Sequence, residues 1–224
     1  PEWFEVRQIA TITHSLGKMK IADEGFFNEI EKLCDRIAEE GKPQALSNIV
    51  WAFATVGRES AELFEAVAAQ HDKIAASGKV QEMSNICWAF AKLECNAAEL
   101  FEAVAAQYKR IVKSDVQHLS NICWAFAKLD CKADELFEAV AGQCVRIAGD
   151  GSLLNMSCIC YAFAKNGHHQ AKALFKVVAG EHERIARDGD VDISANMLWS
   201  FAMVGYYCEC VEGRNMVEKM WNFV

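Results

Sequence analysis

The chain has 224 residues, is 52% hydrophobic and carries a formal net charge of −8. That length and apolar content allow a sizeable core. No uninterrupted apolar run of about 18 residues exists to cross a membrane, and the acidic balance excludes nucleic-acid binding driven by bulk charge, leaving only local basic stripes. The sole prolines are Pro1 and Pro43, so long helical content is expected.

In chain order, Ile9 to Gly17 reads as one helix and Phe26 to Ile37 as a second, but this stretch lacks the tryptophan that marks later units. Residues 1–43 are therefore a degenerate N-terminal unit. The chain opens on Pro1, so a processed or partial chain is expected, with any targeting segment outside it.

From residue 44 the chain repeats itself. Ser47-Asn48-Ile49-Val50-Trp51-Ala52-Phe53-Ala54 returns as Ser84 to Ala91 and as Ser120 to Ala127. Weaker copies run from Ser157 to Ala164 and from Ala195 to Ala202. The aromatic anchors Trp51, Trp88, Trp124, Tyr161 and Trp199 are separated by steps of 37, 36, 37 and 38 residues. A fixed period of this size is the signature of a stacked helical repeat, in which each unit leans on its neighbours for a core. The predicted fold is all-α, a single α-solenoid of helix–turn–helix repeats spanning 1–224. Its clear repeats cover 44–205, and 206–224 form a degenerate C-terminal unit.

Each unit is predicted to hold two helices. Helix A runs from about Gln44 to Val56 and ends at Gly57, where a left-handed residue suits glycine. Helix B runs from about Ser60 to Ala76 as one piece, with Ser60 as its cap and Glu62 in its first turn. Its signature, Glu62 to Ala68, recurs as Glu99 to Ala105 and Glu135 to Ala141. Helical spacing puts Leu46, Ile49, Val50 and Phe53 on one side of helix A, and Leu63, Val67 and Ile74 on one side of helix B.

The opposite side of helix A carries a second stripe. It holds Gln44, Asn48 and Trp51 in the first clear unit, then Gln81, Asn85, Trp88 and Lys92. Gln117, Asn121, Trp124 and Lys128 follow, then Tyr161 and Lys165, then Asn196 and Trp199. Amides can bond base edges, rings can stack on unpaired bases and ammonium groups can meet phosphates. Packing between repeats is the structural alternative for the rings, and cross-linking hydrogen bonds for the asparagines. The position after the glutamine varies (Ala45, Glu82, His118, Asn155, Ile193), as a sequence code or solvent-facing drift would.

A second ladder lies near the end of helix B, where Arg36, Lys73, Arg110, Arg146 and Arg184 each precede an isoleucine. Five cations in register can follow a polyanion, or can compensate the C-terminal dipole of each helix B. The acids Glu62, Glu65, Glu99, Glu102, Glu135 and Glu138 gather near the start of helix B instead.

Ten cysteines occur, and Cys87, Cys123 and Cys160 each stand just before an aromatic anchor. Recurrence with the repeat marks them as small apolar packing residues in a reducing compartment. No catalytic constellation is present, and no cofactor or metal is expected. His168-His169 and Cys208-x-Cys210 are the nearest approach to a metal or redox site, but their spacing suits no standard zinc module.

The phrase Leu119 to Leu129, followed by Glu135 to Ala141, resembles the octotricopeptide repeat (OPR) family, related to FAST-kinase-type and heptatricopeptide repeat RNA-binding proteins. The resemblance covers about residues 44–205. It implies paired-helix repeats and single-stranded organellar RNA as ligand. The implied role lies in transcript stability, processing or translation in the chloroplast, with the mitochondrion as second choice. Some members of that family are structural subunits of organellar ribosomes, so a non-catalytic scaffold inside a large organellar assembly is the alternative function, with protein subunits as partners.

Overall fold

The computed structural model describes residues 4–168 and 171–206, and among these all regular structure is helical. The helices form two compact units, Pro1–Gln107 and Tyr108–Val224. Cys208 and Cys210, His169 and the expected C-terminal unit from 207 onward lie outside the described residues.

Among the described residues, five repeats and the first helix of a sixth follow one plan, an α-solenoid built from three helices per repeat where two were expected. Repeat 1 is α1 (Val6–Met19), α2 (Glu24–Glu31) and α3 (Cys34–Glu40). Repeat 2 is α4 (Pro43–Val56), α5 (Ala61–Ala68) and α6 (His71–Ser77). Repeat 3 is α7 (Val80–Lys92), α8 (Ala98–Ala105) and α9 (Tyr108–Ile111), and the boundary between the compact units falls just before α9. Repeat 4 is α10 (Val116–Lys128), α11 (Asp134–Ala141) and α12 (Cys144–Asp150). Repeat 5 is α13 (Leu153–Lys165), α14 (Lys172–Gly180) and α15 (His182–Asp188). The described part of repeat 6 is α16 (Val191–Met203).

Helix A is as expected. α4 starts with Pro43 at its first position, where the missing N–H costs nothing, and ends at Gly57 with φ of 72°. Helix B differs. It bends at Gln70, whose φ and ψ are −91° and 19°, and the same bend recurs at Leu33 and Gln143. The bend gives the two halves different neighbours: α3 packs on α5, and α6 on α8. Because Leu63, Val67 and Ile74 are all fully buried on both sides of it, the apolar period survives and the sequence shows no break. Ser60 occupies the cap position of α5 but makes no capping bond, and its buried hydroxyl has no hydrogen-bond partner.

Helices A stand side by side, α1 on α4 on α7 in the first unit and α10 on α13 on α16 in the second. Small side chains allow this. A Cβ on Gly17 would meet the Cβ of Ala52 at 2.8 Å, so α1 and α4 approach too closely for a larger residue. Ser47, Ser84, Ser120, Ser157 and Ser194 are buried in the same seams, and Ser120 Oγ accepts a 2.9 Å hydrogen bond from the amide of Asn155. Below the row, phenylalanine pairs join neighbouring repeats within each unit. Phe27 of repeat 1 meets Phe53 of repeat 2 edge-on at 4.8 Å, and Phe64 meets Phe90 at 4.8 Å. In the second unit Phe137 meets Phe163 at 5.1 Å and Phe175 meets Phe201 at 5.2 Å.

The second half of helix B ends at a glycine in four repeats: Gly41, Gly78, Gly151 and Gly189. Each amide donates to the carbonyl of the isoleucine four residues back, at 2.9 to 3.1 Å, and a Cβ there would collide with that oxygen. Repeat 3 has one residue fewer at this point and Ser114 in place of the glycine. Its α9 is accordingly cut to four residues, and the Ser114 hydroxyl bonds Ile111 O at 2.7 Å.

Cys87, Cys123 and Cys160 are fully buried, as their recurrence implied. Burial pushes the thiols of Cys123 and Cys160 up to about 12 and that of Cys158 to about 11. Unfolded thiols ionise near about 8.5, so between these values the unfolded chain binds fewer protons than the folded one. Stability therefore falls as pH rises through that window. Urea unfolding followed from about pH 8 to about pH 11 should show a declining midpoint, and replacing Cys123 and Cys160 by alanine should flatten the decline.

Candidate nucleic-acid interface

Three groups predicted for binding can be placed: the amides, the rings and the two sets of cations. The amides lie on the outer face of the helix A row. Gln44, Gln81 and Gln117 are exposed, as is Asn196, and Asn48, Asn85 and Asn121 are half-buried. None of these side chains bonds another described residue, so the expected cross-linking between repeats is not what they do. They form a row of free donors and acceptors.

The rings run beside them, half-buried, with Trp199 41% exposed. They touch along the row: Trp51 and Trp88 lie 6.5 Å apart between centroids and are inclined by 33°, and Tyr161 and Trp199 are 5.3 Å apart at 36°. The ladder is thus both a packing element and a solvent-facing surface. It also has a rung that the sequence motif missed. His14 occupies the anchor position of α1, 37 residues before Trp51, and their rings are 5.0 Å apart. Burial, then the charge of Lys18, holds its imidazole below the usual histidine range, so it joins the ladder as a neutral ring at neutral pH. The period alone marks this position; a motif that demands tryptophan passes over it.

The lysines at the end of helix A differ from one another. Lys92 is exposed, Lys128 is half-buried, and Lys165 pairs with Asp130 of the preceding repeat at 3.2 Å.

The helix B cations hold the preceding backbone. Lys73 Nζ donates to Ala38 O at 2.7 Å and to Glu39 O at 3.3 Å. Arg146 donates to Val112 O at 2.6 Å and Ser114 O at 2.7 Å. Arg184 donates to Ala148 O at 3.2 Å and Gly151 O at 2.8 Å. Arg36 bonds Phe4 O at 3.0 Å and pairs with Glu40. These are carbonyls at or beyond the C-terminal ends of helices in the preceding repeat, except for Phe4, which precedes α1. Dipole compensation is the right physics, but it acts on the neighbour's helix end rather than the cation's own. Arg110 is exposed at the same register.

The variable position after the glutamine is the third residue of helix A. Glu82 and Asn155 there accept from the backbone N–H that precedes the helix, at 2.9 and 3.1 Å, so part of its variation is local capping rather than a code. Glu62, Glu65, Glu99, Glu102, Glu135 and Glu138 are all exposed on the first half of helix B. Within each unit the acidic surface and the amide–ring stripe therefore belong to different helix rows.

The family described as RNA-editing substrate-binding complex 6 protein matches residues 1–210. The chain belongs to that family. The match includes α1 to α3, the part read from sequence as a degenerate unit. No curated protein matches the chain.

Two substitutions separate the roles of these groups. Arg146→Met removes charged hydrogen bonds to partly buried carbonyls and should lower stability by about 2 kcal/mol. Asn85→Ala with Asn121→Ala removes amides that bond nothing in the fold and should shift stability by no more than about 0.5 kcal/mol each. Urea unfolding monitored by circular dichroism measures both.

Proposed function

We propose that the chain is a non-catalytic RNA-binding repeat protein of an organelle, acting on the stability, processing or translation of transcripts. The observation that carries this is the helix A face itself, where unbonded amides flank half-exposed aromatic rings repeat after repeat. Stacking on such rings is sequence-tolerant at about 1–3 kcal/mol per base, and free amides beside them can discriminate base edges. Repeat readers of single-stranded RNA combine these elements at one unit per base. The description of the family as part of an RNA-editing substrate-binding complex agrees with an RNA ligand and with protein partners. Between the two organelles, we propose the mitochondrion before the chloroplast. Kinship with the octotricopeptide repeat belongs to this reading and rests on the shared helix A and helix B phrases.

A second reading is a non-catalytic scaffold within a large organellar assembly. It draws on the second unit, where Leu154, Val191, Trp199 and Met203 are exposed, and where Leu154 and Cys158 replace the amides. Exposed apolar residues of this size suit a protein partner.

A fluorescent pool of single-stranded RNA titrated across salt concentrations decides between them. Micromolar or tighter binding that weakens steeply with salt is expected. Absence of binding at low salt would overturn the RNA reading and leave the scaffold.

A further inference from the structure

The cations of the first unit divide cleanly. Lys32, Arg36, Arg58 and Lys73 belong to helix B or the loop before it, and each is engaged by a carboxylate or a carbonyl. The other six are Arg7, Lys18, Lys20, Lys42, Lys79 and Lys92, and among the described residues none of their side chains has a hydrogen-bond or ion-pair partner. All six stand at the ends of helix A, three at each end of the row.

The two ends are not equivalent. Cations at a helix C-terminus suit the macrodipole, so Lys18, Lys20 and Lys92 need no other explanation. Arg7 lies in the first turn of α1, and Lys42 and Lys79 are the N-cap residues of α4 and α7, with no capping bond from the side chain of Lys42. A cation there opposes the dipole, and at Lys42 and Lys79 it also takes the place of a capping residue. In the second unit the same position holds Asp115, Ser152 and Asp190, and Ser152 and Asp190 cap their helices in the ordinary way. The first helix keeps the rule with Glu5 at its N-cap, so the rule is broken at α4 and α7 alone. A local rule broken at two adjacent helices and kept elsewhere marks a functional constraint.

These cations also line two adjacent grooves. One, of about 530 Å³ between the starts of α1 and α4, is lined by Arg7, Thr11, Lys42, Gln44 and Asn48. The next, of about 440 Å³, is lined by Lys42, Gln44, Lys73 and Lys79. Carboxylates border them too, Glu5 and Glu40 in the first and Glu39, Glu40 and Glu82 in the second; Glu40 is held by Arg36 and Glu82 accepts from the Lys79 N–H. The cations without partners and the free amides thus stand in the same depressions, with acids and bases balanced in number along each.

We propose that Arg7, Lys42 and Lys79 form a phosphate rail. A single strand lies across α1, α4 and α7 with its backbone along the N-terminal ends of these helices, and its bases point along the helices toward Gln44, Asn48, Gln81 and Asn85. This inference rests on the RNA reading and confines the phosphate-binding cations to the first unit.

The test compares wild type with Lys42→Ser combined with Lys79→Asp, the residue types that the second unit carries there. A control combines Lys113→Ser with Lys176→Asp in the second unit, matching the charge change. The probe is a fluorescent oligouridylate titrated at several salt concentrations. The rail variant should bind about tenfold more weakly per lysine at about 50 mM salt, and its salt slope should fall by about 0.7 for each phosphate no longer neutralised. Its urea midpoint should stay level or rise, because the new residues cap their helices, so weaker binding cannot be assigned to unfolding. The control should bind as wild type does. Unchanged affinity and slope in the rail variant, with wild type binding, would overturn the rail and leave the RNA reading standing. Equal losses in rail variant and control would also overturn it, as bulk charge. Failure of wild type to bind would remove both.

Discussion

The hydrogen bonds from one repeat's cation to the preceding repeat's helix-end carbonyls are the constraint on which the array depends. A helix end leaves carbonyls without partners, and this fold ends a helix at every turn of the repeat. Lys73, Arg146 and Arg184 supply the missing donors from the following unit. Each cation thereby fixes how far one repeat sits from the next. The glycine at that corner keeps the carbonyls within reach, because a side chain there would push against the isoleucine oxygen. Repeat 3 shows the dependence: without its glycine, α9 stops early, and Arg146 follows the displaced carbonyls of Val112 and Ser114.

That arrangement frees the helix A face. Because the phenylalanine pairs and the cation bonds already join the repeats, the outer stripe need not. Its amides bond nothing and its rings only touch along one side. Interfaces that bind extended partners need such a surface, with polar groups unspent in folding. The acidic helix B face accounts for the net charge, so the electrostatics of the whole chain say little about the helix A face.

Much of this was legible in the residues. The period, the two faces of helix A, the burial of Phe53 and the packing role of Cys87, Cys123 and Cys160 all follow from spacing alone. Three features did not. The bend at Gln70 leaves the apolar period intact, and neither Ala69 nor Gln70 is a helix breaker. His14 escaped because an imidazole does not look like a tryptophan in a motif, although its place in the period is right. The destination of Lys73 and Arg146 was hidden because the carbonyls they reach are 32 to 35 residues away, and only the stacking geometry brings them near.

The bend in helix B has one more consequence. It leaves segments such as α5 and α6 with eight and seven residues, far below the length at which a helix holds in water by itself. Their order is lent by the successor: α6 packs on α8, and a cation from the later repeat closes the carbonyls of the earlier one. During synthesis, which presents the N-terminal part first, a repeat is therefore unfinished until the next has emerged. The newest part of the nascent chain always trails one incomplete hairpin, and folding advances along it like a zip whose slider runs a tooth behind the cloth.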